Sequence, residues 1–462
     1  MNLLQEINND KILNTINANF DNDIYLVGGA VRDILMNKKT YDRDLIVCDI
    51  NASEFSEKLA KILDATFITL DEENKIYRLV LNDKLNYLDI TEPIEHSLEK
   101  DLKRRDLTIN SIAINIKSGE VIDINNGIND LNNKIINMIS TENMYDDPLR
   151  MLRAYRFQAA LGFDVSKDIK DFTEANYKLI NKSAKERITY ELMKIFDGYF
   201  TDKSLSEMGN LLEEILPVIK EVKQVPPNTH HHLDLFNHSI ETVKQIQYIY
   251  NNSSNSVKEH LNRVDFGGFS RLSHLKFAGF LHDIGKFSTW KVIEGRHRFI
   301  KHDDVGAKMS VKILKNMNFS NKQIDYISLM IKNHIYPSSV MSAPEVNDKV
   351  MMRFVRKMDL NSIDVIILAM ADRLSARGPE ITEEMVDNNI RNLSHLLDFY
   401  LEKRESLEPL PVLLDGNEVM NILKIKPSKQ LGNIMNELHE AQMSGDILTK
   451  SQAIDFIKKL NV

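Results

Sequence analysis

Cysteine is nearly absent: Cys48 is the only one in 462 residues, which excludes a disulfide framework and a cysteine-rich zinc site. Long apolar runs are missing too. None approaches the roughly 18 residues of a membrane-spanning helix, so no membrane partner is expected. The first twenty residues mix acids and amides into their apolar side chains and lack the layout of a secretory leader. These absences predict a cytoplasmic protein. Basic charge is not in excess, with 59 Lys+Arg against 67 Asp+Glu and a net charge of −8. That argues against bulk coating of a polyanion while leaving room for a local basic groove. There is no fixed-period repeat, and NNSSNS (251–256) is a small polar loop, not a low-complexity tract. What is present is 43% hydrophobic residues, enough for real cores, on a length that suggests two to four domains of about 100–200 residues each.

The strand signals are concentrated early. Residues 24–27 (IYLV) predict a buried strand, broken by Gly28-Gly29, after which AVRDILM has helical spacing. Leu45-Ile46-Val47, entered through Tyr41-Asp42-Arg43-Asp44, predicts a second strand. Further strands are expected at 79–81 and 87–90, and a hairpin at 112–123. After about residue 140 strand signals almost vanish, and amphipathic helical patterns follow, interrupted at Pro226-Pro227 and Gly378-Pro379.

Gly28-Gly29 lies where a strand should feed a helix. Glycine there lets backbone N–H groups approach a phosphate, and Arg32, on the first turn of the helix, has reach to the same anion. Alone, such a turn is ordinary chain reversal. Asp42 and Asp44 add weight, because alternate strand residues share a face and two converging carboxylates repel unless a cation sits between them. Mg²⁺ is held in this way beside substrate phosphates, and paired ions clamp the attacking and leaving oxygens of an in-line displacement. The plain alternative is a turn with solvated acids. Asp89, flanked by apolar residues, is a candidate third carboxylate, its alternative a strand-end acid facing water.

LVGGAVRD followed by YDRDLIV resembles the head of the tRNA nucleotidyltransferase/poly(A) polymerase family, within the polymerase-beta-like nucleotidyltransferases. The family's later motifs come in order: KRRDLTINSIAIN (103–115), DINNGINDL (123–131), DDPLRMLRAYRF (146–157) and SAKERITYEL (183–192). The resemblance implies Mg²⁺ at Asp42 and Asp44, nucleotide contacts from Gly28, Gly29, Arg32 and Arg105, and an RNA path beside Lys100, Lys103 and Arg104. Asp147-Pro148 is a good helix start, and Asp147 and Arg150 are three apart on one face. A carboxylate accepts and a guanidinium donates, which fits the amino donor and ring acceptor that cytosine and adenine both present and mismatches uracil and guanine. Leaving a buried polar group unpaired costs about 1–3 kcal/mol, enough to choose a base. In the family this motif replaces a nucleic-acid template, and the resemblance carries that role to Asp147 and Arg150, with Arg153 and Arg156 meeting triphosphate or base. The alternative for the last two is a solvated face.

Two departures stand out. The family's Glu-Asp before the arginine helix is Asp146-Asp147 here, and the stretch ITEPIEHS (90–97) is short, without the longer flexible loop of many CCA-adding members. In the family a missing loop accompanies CC-only addition, although some loop-short members add all three nucleotides, so the product stays open.

A second constellation follows. His238, His282-Asp283, His302, His334 and Asp372 are spread over helical segments. Imidazole and carboxylate together suit a first-row divalent metal, and buried charges in a helical core are otherwise costly. GFLHDIGK resembles the His-Asp-x-Gly-Lys segment of the HD phosphohydrolase superfamily. That resemblance implies His238, His282, Asp283 and Asp372 as ligands of a transition metal or Mg²⁺, with His302 and His334 binding phosphate or a second metal. His230-His231-His232 reads as a polar helix entry. In the tail, Lys424, Lys426 and Lys429 form a basic patch and a secondary candidate for tRNA contact.

The expectation is an α+β head with a mixed sheet (1–140), followed by an all-α neck carrying the nucleotide-selection helix (141–225), an HD domain (226–380) and a helical tail (381–462). The implied activity is template-independent addition of C and/or A from CTP and ATP to a tRNA 3′ end. The rivals are a poly(A) polymerase, an HD phosphohydrolase whose head only binds RNA, and a non-catalytic RNA-binding scaffold. Oligomeric state is not readable from the sequence.

Overall fold

The computed structural model describes residues 3–404, 411–443 and 445–460, which form two compact units, Met1–Ile215 and Leu216–Val462. The first is built on a seven-stranded sheet: β1 (Ile24–Val27), β2 (Asp42–Val47), β3 (Thr66–Asp71), β4 (Ile76–Val80), β5 (Tyr87–Thr91), β6 (Ala113–Asn115) and β7 (Val121–Ile122). Its spatial order is β3-β4-β5-β2-β1-β6-β7. Only β2 and β5 run parallel, in a register that sets Asp42 opposite Tyr87 and Asp44 opposite Asp89.

Period-two alternation decides the faces of β2. Leu45 and Val47 join Leu26, Leu88 and Ile90 in the main core, against Phe55 and Leu59 of α2 (Ala52–Leu63). Asp42, Asp44 and Ile46 face the other way, where Ile46 packs with Val27, Leu102 and Ala113. Helix α1 (Gly29–Leu35) starts directly after Gly28, whose φ of +72° favours glycine. Beyond the sheet, α3 (Leu149–Leu161) packs on α4 (Lys185–Asp197). The expected mixed α+β head is present. β2 begins earlier than its apolar core suggested, and β3, with most of its side chains exposed, gave no sequence signal.

The second unit is mostly helical. Helices α5 (Leu235–Asn252), α6 (Arg271–Leu281) and α10 (Ser362–Ser375) pack together, and the short α7 (Gly285–Thr289) leads into a hairpin of β8 (Trp290–Ile293) and β9 (Arg296–Phe299). α8 (His302–Asn316) and α9 (Asn321–Asn333) form a second close pair. The hairpin departs from the strand-poor expectation, because its alternation is of cations with bulky residues, not of apolar with polar. Helices Gly416–Leu423, Lys429–Met443 and Lys450–Leu460 share a small core around Val419, Leu438 and Ile457. The side chain of Lys429 lies outside the described residues. No helix among the described residues is long and apolar enough to cross a membrane.

Candidate functional site

In the head, one carboxylate oxygen from each of Asp42, Asp44 and Asp89 lies within 4.8 Å of the others. Arg78 grips Asp89 with Nε and Nη2, both at 2.7 Å, and its guanidinium lies 4.5 Å from the ring centre of Tyr87. The Tyr87 hydroxyl in turn bonds Asp42. Burial, then the charge of Asp42, pushes the Asp44 carboxyl up to about 7, and burial also raises Asp42. Acids that resist joint ionisation at neutral pH are strongly relieved by a divalent cation, so this donor set fits one.

The glycine turn is shaped around the same acids. A Cβ on Gly28 would come 2.6 Å from Asp44 Oδ2 and 3.1 Å from Arg105 Nη1. Arg105 is steadied by Asp101 and by the Asn110 carbonyl. Arg32 is buried: it donates to Asp33 and Asn110, and its Nη2 sits 3.5 Å from where a Cβ on Gly29 would lie. Lys100, Lys103 and Arg104 each meet a nearby acid, Glu95, Glu99 and Asp101.

A cleft of about 280 Å³ is lined by Asp101, Arg104, Arg105, Asp106, Asp147, Arg150 and Arg153. The structure brings Asp147 and Arg150 to this cleft and joins them through the backbone, the Arg150 N–H donating to the Asp147 carbonyl at 3.0 Å, while their side chains take other partners. α3 starts one residue later than expected: Asp147 is extended, and its Oδ1 accepts the Leu149 N–H at 3.3 Å. Its Oδ2 accepts from Arg187 Nη2 at 2.9 Å. Arg150 donates to the carbonyls of Asn143 and Arg104. Arg153 is held by Asp106 at 2.6 and 2.9 Å, and Arg156 by Glu191 at 3.3 Å. Arg32, Arg153 and Arg156 all approach the Phe157 ring, with guanidinium carbons 5.1, 5.9 and 4.2 Å from its centre. Sequence reasoning passed over Asp106, Asn110, Arg187 and Glu191, although two of the quoted motif segments hold them.

In the second unit, His238 (α5), His282 and Asp283 (after α6) and Asp372 (α10) offer ligand atoms within 4.8 Å of one another, and Asp283, His302 and His334 form an adjoining set. Asp283 joins the two. Its Oδ2 is 3.1 Å from His282 Nε2 and 2.5 Å from Lys286 Nζ, while its Oδ1 is 3.1 Å from His302 and 3.7 Å from His334. The Nδ1 atoms of His282, His302 and His334 lie 2.7, 2.7 and 2.6 Å from the carbonyls of Gly279, Phe299 and Ile331. Donation there fixes the tautomer and aims each Nε2 at Asp283. Asp283 is 1% exposed, and neither carboxylate oxygen makes a well-formed hydrogen bond. Burial opposes a charge on His282, but Asp283 and Asp372 outweigh it and lift the imidazole to about 10. A buried proton trapped among these ligands occupies ground a cation suits better, so the donor set fits a metal.

His231 does not stay at a polar helix entry. Its ring packs 4.4 Å from His238, its Nε2 lies 3.3 Å from Lys286 Nζ, and burial, then Lys286, drives its pKa down to about 2. His230 and His232 remain exposed.

Comparison with known proteins agrees with this division. The poly A polymerase head domain model matches residues 24–137, and the HD domain model matches residues 235–377. The chain is 29% identical over 444 residues to the A-adding tRNA nucleotidyltransferase of Deinococcus radiodurans, covering 94% of each protein. It is 28% identical over 445 residues to the CC-adding tRNA nucleotidyltransferase of Thermus thermophilus, covering 94% of this chain and 93% of that one. Among solved structures, a CCA-adding enzyme complexed with ATP matches in fold with a TM-score of 0.62 at 20% identity, over 99% of this chain and 97% of that one.

Proposed function

With a poly A polymerase head domain and an HD domain on one chain, this protein belongs to the tRNA nucleotidyltransferase/poly(A) polymerase family, and from that premise we propose that it adds C and/or A from CTP and ATP to the 3′ end of tRNA without a nucleic-acid template. The observation that carries this is the convergence of Asp42, Asp44 and Asp89 beside Gly28, where there is no room for a side chain. Mg²⁺ at Asp42 and Asp44 supplies Lewis-acid stabilisation and a more acidic ribose hydroxyl. Asp89, tied to Arg78, fixes the floor of the cluster. Gly28, Gly29, Arg32 and Arg105 receive the triphosphate. The terminal ribose oxygen bonds to the α-phosphorus, and the bond to pyrophosphate breaks. Asp147 and Arg150 read the base edge, with Arg187 orienting the carboxylate. Asp106 and Glu191 hold Arg153 and Arg156 in position.

For the second unit we propose a metal-dependent phosphohydrolase centre. His238, His282, Asp283 and Asp372 hold one divalent ion, a transition metal or Mg²⁺. Asp283 bridges to His302 and His334, which take a second ion or the substrate phosphate. Water adds to phosphorus, and one P–O bond of a cyclic phosphodiester or phosphomonoester breaks. The tail lysines Lys424 and Lys426 are a secondary tRNA contact, and the four-part division at 140, 225 and 380 stands as a working scheme.

The test is incubation with tRNA ending before the first C, after C, and after CC, with labelled CTP or ATP. Extension by one to three nucleotides supports the proposal and separates CCA-, CC- and A-adding products. Long adenylate ladders on unrelated RNA overturn it in favour of poly(A) synthesis, and no incorporation at all overturns transfer.

A further inference from the structure

The β8–β9 hairpin is unlike the rest of its unit. Glu294 and Gly295, with φ of +50° and +74°, close a tight two-residue turn. The register pairs Trp290 with Phe299, Lys291 with Arg298, Val292 with His297 and Ile293 with Arg296. Directly paired residues share a face. One face therefore carries Lys291, Ile293, Arg296 and Arg298, all exposed. The other carries Trp290, His297 and Phe299, which are half-buried, and Val292, which is 62% exposed, with Trp290 Nε1 donating to His297 Nδ1 at 3.1 Å.

Three features of the exposed face need an explanation. Lys291 and Arg298 stand directly opposite one another, an arrangement that destabilises a ladder unless a counter-charge intervenes. Together with Arg296 and Lys301 they make four cations over residues 290–301 against the single acid Glu294, in a chain of net charge −8. Neither Lys291, Arg296, Arg298 nor Lys301 has an ion-pair partner among the described residues, whereas Lys100, Lys103, Lys167 and Lys203 in the first unit all do. Bulky apolar groups sit among these cations, Ile293 at 43% exposure and Ile300 at 66%.

Both ends of the hairpin are tied to the His-Asp cluster. β8 begins where α7 ends, just after Asp283 and Lys286. At the end of β9 the Phe299 carbonyl lies 2.7 Å from His302 Nδ1, and the Phe299 ring centre lies 5.5 Å from Lys286 Nζ. The Trp290–Phe299 face is therefore the one that adjoins the cluster, and the cationic face is the opposite side of the same two strands. The two cross-strand rows, 291/298 and 293/296, lie about 7 Å apart along the strands, a step comparable to that between successive phosphates of an extended strand.

We propose that the hairpin is the docking surface for a single-stranded RNA end, so that the His-Asp cluster acts on terminal phosphates of RNA in preference to free mononucleotides. Lys291, Arg296 and Arg298 contact backbone phosphates upstream of the terminus, and Ile293 packs against sugar or base, a combination suited to sequence-tolerant single-strand binding. The proposal rests on the phosphohydrolase reading of that cluster for its substrate, but not for its binding measurement.

Trp290 is the only tryptophan of the chain, so its fluorescence reports on this hairpin alone. The full-length, metal-loaded protein is titrated with a six-nucleotide oligoribonucleotide ending in a 2′,3′-cyclic phosphate. A saturable change in Trp290 emission is expected. In the K291E/R296E/R298E variant the apparent Kd should rise at least tenfold, and the dependence of log Kd on log salt should flatten by about 2, from three lost phosphate contacts. K291Q/R296Q/R298Q should move in the same direction by less. In parallel, the ratio of kcat/KM for the oligonucleotide to that for 2′,3′-cyclic AMP should fall at least tenfold in the charge-reversed variant. The proposal is overturned if Trp290 emission ignores the RNA, if charge reversal leaves the titration unchanged, or if polyglutamate competes as well as the RNA does. If the native protein hydrolyses neither substrate while the Trp290 titration behaves as expected, the phosphohydrolase reading fails and the docking surface stands.

Discussion

Asp44 on β2 lies directly opposite Asp89 on β5, yet only Asp89 is gripped by a guanidinium, that of Arg78. The asymmetry leaves Asp44 with a carboxyl raised to about 7, by burial first and Asp42 second. A carboxyl raised in the folded state favours folding below its ordinary value near 3.8 and loses that contribution as pH climbs through about 7. The loss is of order 4 kcal/mol at most. A divalent ion at Asp42 and Asp44 reverses it. Mg²⁺ should therefore raise the melting temperature of the protein more at pH 8 than at pH 6, and the difference between the two should disappear in Asp44→Asn. Equal Mg²⁺ stabilisation of both proteins at pH 8 would count against a cation in this pocket.

The two carboxylate sites stand in different compact units and use different donors, so their activities should separate. Asp42→Ala should lower nucleotide transfer by about a thousandfold or more, the equivalent of several kcal/mol of charge stabilisation, and leave hydrolysis of a 2′,3′-cyclic phosphate in place. Asp283→Ala should do the reverse, since Asp283 is the residue that joins both histidine sets. Rates of both reactions on both variants decide the matter; a joint loss would mean one site, not two.

The pairing of Asp42 with Asp44 was legible because strand alternation fixes faces from local sequence alone. Asp89 was legible only as an acid flanked by apolar residues on a predicted strand, because its meeting with Asp44 depends on the pairing of β5 with β2. The spacing of His282 and Asp283 was local, like that of Asp42 and Asp44. What stayed hidden depends on contacts between distant segments. Nothing near Asp106 announces Arg153, forty-seven positions away, and nothing near His231 announces Lys286, fifty-five away. Three consecutive histidines carry no periodicity that would single out the middle one. β8 and β9 were missed because cations occupy the positions where apolar residues usually mark a strand.

Base choice should depend on Arg187 as well as on Asp147. The Arg187–Asp147 bond, 2.9 Å long, is the one ion pair among the described residues that steadies the carboxylate, whose other oxygen takes the Leu149 N–H. Without it the side chain gains rotamers that no longer face the base. Arg187→Ala should reduce the kcat/KM preference for CTP or ATP over UTP or GTP by about tenfold, and Asp147→Ala by about tenfold to a hundredfold, from the 1–3 kcal/mol of an unpaired buried polar group. Single-turnover kinetics with all four nucleotides measure this. A uniform fall for every nucleotide, with the ratios unchanged, would show that Arg187 supports the fold and not the choice of base.

Gly28 should tolerate no side chain for two independent reasons. Its φ of +72° strains any L-residue, at about 1–2 kcal/mol. The larger effect is positional, because a Cβ would meet Asp44 Oδ2 at 2.6 Å, closer than carbon and oxygen approach, and would crowd Arg105 Nη1 at 3.1 Å. The Asp44 carboxylate must therefore shift, which disturbs the pair that seats the cation. Gly28→Ala should thus melt within a few degrees of the native protein, since the strain alone is small beside total domain stability. It should nevertheless lose at least a hundredfold in transfer and need more Mg²⁺ to reach half-maximal rate. Gly29→Ala provides the contrast: its Cβ would have Arg32 Nη2 as nearest neighbour at 3.5 Å, an ordinary contact, so its Mg²⁺ requirement should stay close to native. If the two variants behave alike, the glycine turn shapes the chain and not the acid pair.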